Sequence, residues 1–522
     1  MRILTAVQMQ RIDRLTTVQY GVPSLSLMEN AGAGVVKFLA ERYPPLDRQR
    51  IAIFCGRGNN GGDGLVVARL LREKGLSPRA LLMAEPSALQ GDAAVNYQRL
   101  KTPGFPEVVP NLAAWKQVRA SLDGTTLIVD ALLGTGLSKP LHGFLLEVVR
   151  DLNGIGGAAR VAVDLPTGIP ADTGEIIGEC LHADASVTFT APKHAHVFPP
   201  ACEQVGEWRV HQIGTPREAW ENDPELFLSL TCREDLAWLT VPRKMDSHKG
   251  TYGHLLILAG SVGKTGAAVL AAKAALRSGV GLVTIATPAS ALPMIASLGM
   301  EYMTEPLAET PQGSLSLRAL DGGMLDRLVE GKSVLAVGPG IGSHPETAGF
   351  VRQVMNRYAI PVVLDADGLN AFAGKVGEMD AAGRVRVLTP HPGEMARLMG
   401  SATAEIQKNR VEVAREFATR HKVSLVLKGT RTLVASPDGR VAVNPTGNPG
   451  MATGGTGDCL TGLIAGLLAQ HPSRSVAEVV RGAVYVHGLA GDLAAWVKGE
   501  ASLIAGDLVE SIPRALMSLK KG

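Results

Sequence analysis

Residues 444–458 read NPTGNPGMATGGTGD, so five glycines in fifteen positions lead up to a carboxylate, and the apolar run CLTGLIAGLLAQ follows at once. That run predicts a helix whose first turn begins at Gly454–Gly457. Unpaired N–H groups at a helix start, on backbone bare enough for phosphate oxygens to approach, form an anion site that the helix dipole reinforces. Asp458 does not belong in a plain anion site. It reads either as a partner of the helix dipole or as a general base aimed at a hydroxyl that attacks a phosphate. Upstream, the strand-like SLVLKG runs into Lys428, Gly429, Thr430, Arg431 and Thr432, a second polar loop suited to a nucleotide.

The first half of the chain carries three further clusters: GRGNNGGDG at 56–64, Asp130 followed by GTGLSKP at 134–140, and DLPTG at 164–168. Each follows an apolar run, and ligands of open parallel sheets bind where strands end. Gly56, Gly58 and Gly61 satisfy G-x-G-x-x-G, with Glu85 after a later strand where a ribose-binding acid would stand. Asn59, Asn60 and Asp63 do not suit a pyrophosphate cradle, because a carboxylate there repels it. A purely structural turn, with Asn and Asp chosen for left-handed backbone, is the other reading. GSVGKT at 260–265 imitates a phosphate loop, but the motif needs glycine where Leu258 stands, which excludes it. Lys264 then reads as a solvated loop residue, while Gly266 and Ala267 leave the backbone open to a ligand.

These clusters need strand ends to hold them, and the pattern supplies strands. RIAIFC, RALLMA, TLIVDALL and RVAVDL alternate with helix-like stretches in the first half; HLLILAG, LVTIAT, SVLAVGPG, PVVLDADG, RVLTPHPG and SLVLKG do so in the second. Sixty glycines and 4% aromatics suit sheets packed closely between helices. The expected architecture is α/β, with two doubly wound parallel sheets. A polar, proline-punctuated stretch near Gly214–Asp235 continues neither series, so the expected division is 1–215, a linker at 216–235, and 236–522. At 522 residues the chain is too long for one core.

Lys plus Arg number 52 against 49 Asp plus Glu, scattered along the chain, so neither a nucleic-acid nor a membrane footprint is present. The five cysteines lack a C-x-x-C pair, which argues against a disulfide framework or a zinc site. No apolar run reaches the roughly 18 residues that span a bilayer. A soluble, cytoplasmic protein acting on small molecules is expected.

LMENAG at 27–32, GNNGGDG, DALLGTGL at 130–137 and DLPTG together resemble the NAD(P)H-hydrate epimerase domain, over essentially the whole first half. The resemblance implies a Rossmann-like fold. It places the hydrated nicotinamide nucleotide against Asn59, Asn60, Gly61, Gly62 and Asp63 and against Gly134, Thr135, Gly136, Leu137, Ser138, Lys139 and Pro140, with Asp164 as the acid–base group. It also implies a potassium ion on Asn60, Asp130 and Thr167; the family more often has serine where Thr167 stands, and the hydroxyl is retained. Hard oxygen donors of this kind suit a monovalent cation.

In the second half, GGTGD at a helix start with a strand-end K-G-x-x-T resembles the ribokinase-like superfamily. SHKGTYGHLLILAGS at 247–261, VGPGIG at 337–342, TPHPGE at 389–394 and the opening stretch narrow the resemblance to the ADP- or ATP-dependent NAD(P)H-hydrate dehydratase, over nearly all of 236–515. What this implies is ADP and magnesium, with Lys428 to Thr432 and Gly457 on the adenosine nucleotide and Ala267, Gly340, His391 and Asp458 on the hydrate. His391, between Pro390 and Pro392, also reads as a loop histidine held by backbone hydrogen bonds. Phosphorylating the ring hydroxyl of hydrated NADH or NADPH would turn a poor leaving group into a good one, and elimination would restore the coenzyme. A fused epimerase would convert the R hydrate into the S form that one stereospecific site accepts. The alternative is a small-alcohol or vitamin-precursor kinase with an N-terminal nucleotide sensor. A homo-oligomer is expected.

Overall fold

The computed structural model describes residues 1–102, 104–379, 381 and 383–520. The chain forms two compact units, Met1–Leu226 and Phe227–Gly522.

In the first unit, β1 (Ile51–Cys55), β2 (Arg79–Leu82), β3 (Glu107–Val108), β4 (Leu127–Ala131), β5 (Ala159–Val163), β6 (Ala185–Phe189) and β7 (Glu207–His211) form one sheet in the order β3-β2-β1-β4-β5-β6-β7. All of its pairings are parallel. The central strands β1 and β4 are buried along their whole length and read as apolar runs, while the edge strands β3 and β7 are partly exposed. Ile51, Ile53, Leu127, Val129 and Val161 point into one core, while Ala52, Phe54 and Ile128 point into the other. From β1 the chain turns towards β2, and later it resumes on the opposite side at β4. The loops leaving β1 and β4 therefore part, and a crevice opens at this switch point.

The turn expected at Asn59–Asp63 is helical: these residues begin the helix Asn59–Glu73. Its glycines are there for close packing, since a Cβ on Gly61 would lie 1.8 Å from the Gly56 carbonyl oxygen. The helix start thus rests on the backbone leaving β1.

The second unit holds β8 (Leu228–Leu230), β9 (His254–Leu258), β10 (Leu282–Pro288), β11 (Met303–Leu307), β12 (Val334–Val337), β13 (Val362–Leu364), β14 (Arg386–Leu388), β15 (Ser424–Leu427), β16 (Leu433–Ala435) and β17 (Val441–Val443). Their order is β11-β10-β9-β12-β13-β14-β15-β16-β17-β8. The sheet is parallel from β11 to β15, but β16 is antiparallel to both its neighbours, so the purely parallel expectation is corrected. The reason is local. Asp438 and Gly439 turn the chain tightly between two short apolar runs, and two antiparallel strands need no crossover helix.

The helix Thr456–Gln470 packs on Thr265–Ser278 at backbone range. A Cβ on Gly462 would lie 1.9 Å from the Ala271 carbonyl oxygen, and one on Gly466 would lie 2.3 Å from Ser278 Oγ. This seam fixes the direction in which the first turn of the helix points.

Residues 216–235, expected as a linker, are not a free connector. Leu226 packs with Leu4, Met9 and Ile12 of the first unit, and Arg11 pairs with Asp223 and Glu225. Beyond it, β8 pairs with β17, and Leu236 lies in the second unit's core. Polarity suggested a tether, but the short apolar run Leu226–Leu230 is enough to anchor both sides.

Candidate active sites

In the first unit a cavity of about 560 Å³ opens past the ends of β1, β4, β5 and β6. Asn59, Asn60, Asp63, Gly134, Thr135, Gly136 and Asp164 all line it. Gly61 and Gly62 are buried in helix packing instead, and Leu137 packs against the apolar core. Ser138, Lys139 and Pro140 are not among the residues that line the cavity.

Asp164 leaves β5 in left-handed backbone, φ 65°. Few non-glycine residues adopt this conformation, and it persists where surrounding bonds over-determine it. Here the Lys193 ammonium donates to Asp164 Oδ1 at 2.6 Å, Thr188 Oγ1 donates to the same oxygen at 2.8 Å, and His196 Nε2 donates to the Asp164 carbonyl oxygen at 2.9 Å. Burial acts to raise the Asp164 pKa. The charge and hydrogen bond of Lys193, helped by His196 and Thr188, outweigh it and hold the carboxyl below its ordinary value. Burial, with the Lys193 charge, lowers His196 to about 4, so the ring is a neutral donor. Asp63 moves the other way: burial first, then the charges of Asp164 and Asp13, hold it well above the carboxylate range. Asp13, on the helix Ala6–Val18, is raised to about 6, again chiefly by burial.

Below this group Asp130 is fully buried. Its Oδ1 accepts from Thr167 Oγ1 at 2.7 Å and from Leu132 N at 3.1 Å, and its Oδ2 accepts from Thr167 N at 2.7 Å. Burial raises it to about 6 despite these bonds. Asn60 Nδ2 is buried without a hydrogen-bond partner. A Cβ on Gly134 would come within 3.1 Å of Asn60 Oδ1 and 3.4 Å of Asp164 Oδ2, so the bare backbone keeps the space over both oxygens clear.

In the second unit the loops after β12, β13, β14 and β15 converge on the start of the helix Thr456–Gln470. Gly455 caps that helix in left-handed backbone, φ 94°, and Asp458 stands in its first turn. Asp365 follows β13 and is 1% exposed; it accepts from Thr389 Oγ1 at 2.7 Å, Lys428 Nζ at 2.9 Å and Thr461 Oγ1 at 2.7 Å. Asp365 thus ties β14, β15 and the helix together. A Cβ on Gly338, after β12, would lie 1.9 Å from the Asp365 carbonyl oxygen, which accounts for one glycine of VGPGIG. Burial raises Asp458 to about 7, with further upward pressure from Asp365, Asp367 and Glu394 that Lys428 opposes. Lys428 itself is raised, because Asp365 and Glu394 overcome the effect of its burial.

The residues named from sequence gather here. A Cβ on Gly457 would lie 3.4 Å from Lys428 Nζ, and one on Gly340 would lie 3.0 Å from Ala267 Cβ. His391 caps the helix Pro392–Met399, its Nδ1 accepting from Gly393 N at 3.0 Å, while Nε2 lies 3.6 Å from Glu394 Oε1. The backbone-held reading of His391 is therefore seen directly, and its half-exposed ring remains open to a ligand. Gly429 to Thr432 fold on themselves: Thr432 Oγ1 donates to the Gly429 carbonyl at 2.9 Å, Arg431 reaches the Pro445 carbonyl, and Arg410 reaches that of Thr430. Lys264 pairs with Asp367 at 3.1 Å and is half exposed.

Lys193, Asp13, Asp365, Glu394 and Thr461 were not singled out from sequence. For Asp365 the signal was present, a carboxylate immediately after the apolar run PVVL. For Lys193 and Asp13 nothing in the local pattern distinguishes a buried polar side chain from an exposed one.

A family model described as NAD(P)H-hydrate dehydratase matches residues 255–514, and one described as YjeF-related protein N-terminus matches residues 24–195. The bifunctional NAD(P)H-hydrate repair enzyme Nnr of Moorella thermoacetica is 42% identical, over 100% of this chain and 98% of its own length. The enzyme of the same name from Thermofilum pendens is 39% identical over 100% and 97%. Among solved structures, the ADP/ATP-dependent NAD(P)H-hydrate dehydratase of Bacillus subtilis, co-crystallized with ATP/Mg2+, is 35% identical over 56% of this chain and 99% of its own, with a TM-score of 0.48. The chain belongs to the family of bifunctional NAD(P)H-hydrate repair enzymes, an epimerase fused to a dehydratase.

Proposed function

We propose that the first unit interconverts the R and S hydrates of NADH and NADPH in the Asp164 cavity, and that the second unit dehydrates the S form with ADP as phosphoryl donor. The observation that carries the second half is the position of Asp458. A carboxylate raised to about 7, in the first turn of a glycine-rich helix start and near a lysine, suits a base that titrates near working pH.

In this reading Asp458 takes the proton of the ring hydroxyl as it attacks the terminal phosphoryl group. The N–H groups at Gly455–Gly457 and the Lys428 ammonium meet the charge that develops there. Lys428 to Thr432 and Gly457 hold the nucleotide, and Ala267, Gly340 and His391 hold the hydrate. Magnesium, when bound, screens the nucleotide phosphates. Among the described residues no group of three or more His, Cys, Asp or Glu could hold a metal, which suits an ion carried mainly by phosphates and water.

In the first unit, Asn59, Asn60, Asp63 and Gly134 to Gly136 surround the nicotinamide nucleotide and Asp164 exchanges a proton with it. Asn60, Asp130 and Thr167 fit a potassium ion. Asp130 is a buried carboxylate whose bonds are to two N–H groups and a hydroxyl, so a cation would supply its missing counter-charge. Potassium would hold the loops after β4 and β5 in register. The reading includes a cytoplasmic homo-oligomer, to be checked by light scattering; among the described residues no helix is long and apolar enough to cross a membrane.

The test supplies each purified epimer with ADP and magnesium and follows the reduced-nicotinamide absorbance. Recovery from both epimers, with one equivalent of AMP and one of phosphate per coenzyme, is expected. A stable phosphoester of the substrate would instead identify a kinase.

A further inference from the structure

Four carboxyl groups, Asp13, Asp63, Asp92 and Asp164, line one cavity with a single lysine, Lys193. That lysine is committed to one of them. Its ammonium lies 2.6 Å from Asp164 Oδ1, with further bonds to Thr188 Oγ1 at 2.8 Å and the Phe189 carbonyl at 3.3 Å. Among the described residues no salt bridge reaches Asp13 or Asp63, and Asp13 Oδ1 is buried without a hydrogen-bond partner. Arg14 and Arg57 are the other charged residues of the cavity wall, and the neutral His196 touches Asp164 only through its carbonyl. Arg14 and Arg57 are exposed and, among the described residues, form no salt bridge with Asp13 or Asp63, so the one buried cation, committed to Asp164, leaves those two carboxyls unpaired in a confined space, a situation in which protons are retained. The cavity therefore offers an ionised carboxylate and a protonated carboxyl within one lining.

The substrate chemistry gives such a pair work. Water adds to the enamine double bond of a reduced nicotinamide ring with its hydroxyl on the carbon bonded to the ring nitrogen. The hydrate is thus a carbinolamine, and carbinolamines invert by opening. We propose that Asp63 is the proton donor and Asp164 the proton acceptor of an epimerisation by ring opening, with Lys193 the positioning residue that keeps Asp164 the acceptor. The proposal rests on the assignment of epimerisation to this cavity.

Asp164 removes the hydroxyl proton, the carbon–oxygen double bond forms, and the carbon–nitrogen bond breaks with its electron pair going to nitrogen. Nitrogen takes the proton of Asp63. The aldehyde so formed turns about its single bond to the ring-derived chain and presents its other face. Nitrogen attacks that face and returns its proton to Asp63, while the oxygen recovers a proton from Asp164. Every bond broken is remade, no electrons are gained or lost, and the hydroxyl oxygen is the same atom throughout. The opposite displacements of Asp63 and Asp164, one above and one below the ordinary carboxylate range, agree with these roles.

The test uses the full chain and one purified epimer in oxygen-18-labelled water. Ring opening predicts that the other epimer keeps its original oxygen during the first turnovers. Incorporation of one labelled oxygen per inversion would mean loss and re-addition of water, and would overturn the proposal. This arm needs no variant. Asp63→Asn should lower epimerisation kcat by about 100-fold with little change in KM, the scale of a lost general acid; a change under threefold would remove Asp63 from the chemistry. Lys193→Met should move the acidic limb of the epimerisation kcat/KM profile to higher pH, and Lys193→Arg should restore it. An unmoved limb would contradict the positioning role. Wild-type enzyme that interconverts no hydrate at all would refute the underlying assignment, a failure distinct from these.

Discussion

Lys428 Nζ lies 2.9 Å from Asp365 Oδ1, at the meeting of two strand ends and the first turns of the helix that carries Asp458. The pair sets the charge around Asp458 without belonging to the glycine loop itself. Asp365 pushes the Asp458 pKa up and Lys428 pulls it down, while burial does most of the raising to about 7. Dehydration kcat/KM should therefore rise through an acidic limb near pH 7. Asp365→Asn removes an upward influence and frees Lys428, so the limb should move to lower pH. A pH–rate series on both proteins checks the direction.

Asp458→Asn should reduce dehydration by about 100- to 10,000-fold, the range for a lost general base, while nucleotide binding persists because the helix start is unchanged. The same change should stabilise the second unit at alkaline pH. A carboxyl whose folded pKa is raised from 3.8 to about 7 contributes its stability below the unfolded value and loses it as pH rises through the folded one. Asparagine loses nothing over that window. Melting temperatures should favour the variant at pH 8 and converge below pH 4; a lower variant melting temperature at pH 8 would argue against the burial of this charge.

Gly462→Ala should destabilise the second unit by about 1–3 kcal/mol, the cost of overpacking, because its Cβ would meet the Ala271 carbonyl oxygen at 1.9 Å. Denaturant unfolding of the second unit measures this. The same seam aims Asp458, so dehydration should also fall.

A fragment beginning at Phe227 should fold and dehydrate, since it retains β8 on the edge of the sheet beside β17. One beginning at residue 236 loses that strand and leaves the β17 edge bare, an invitation to self-association. Comparing their sedimentation tests the assignment of this segment.

Much of the fold was legible because buried parallel strands are unbroken apolar runs, and IAIFC, LIVDA and HLLIL could be read as such. β6 and β7 were harder: ASVTF and EWRVH mix polar residues into the strand, and β7 is a partly exposed edge. β16 and β17 are three residues each, too short for a period to appear. In the sites, Asp164 announced itself by standing directly after an apolar run, and Asp458 by ending a glycine-rich stretch directly before one. Lys193 did not, because its role comes from a neighbour 29 positions away that only folding brings within 2.6 Å. Asn59 to Asp63 looked like a turn because glycine and asparagine favour turns; tight packing on the Gly56 backbone reverses that preference.

The most direct test of two independent sites in one chain is the time course of reduced-nicotinamide recovery from an equal mixture of R and S hydrates with ADP and magnesium, for the full chain, Asp164→Ala and Asp458→Asn. Full recovery by the wild type is predicted, with about half recovered quickly by Asp164→Ala, since one stereospecific pocket takes one epimer, and almost none by Asp458→Asn. Rapid complete recovery by folded Asp164→Ala, or an equal loss of both activities in it, would contradict the account.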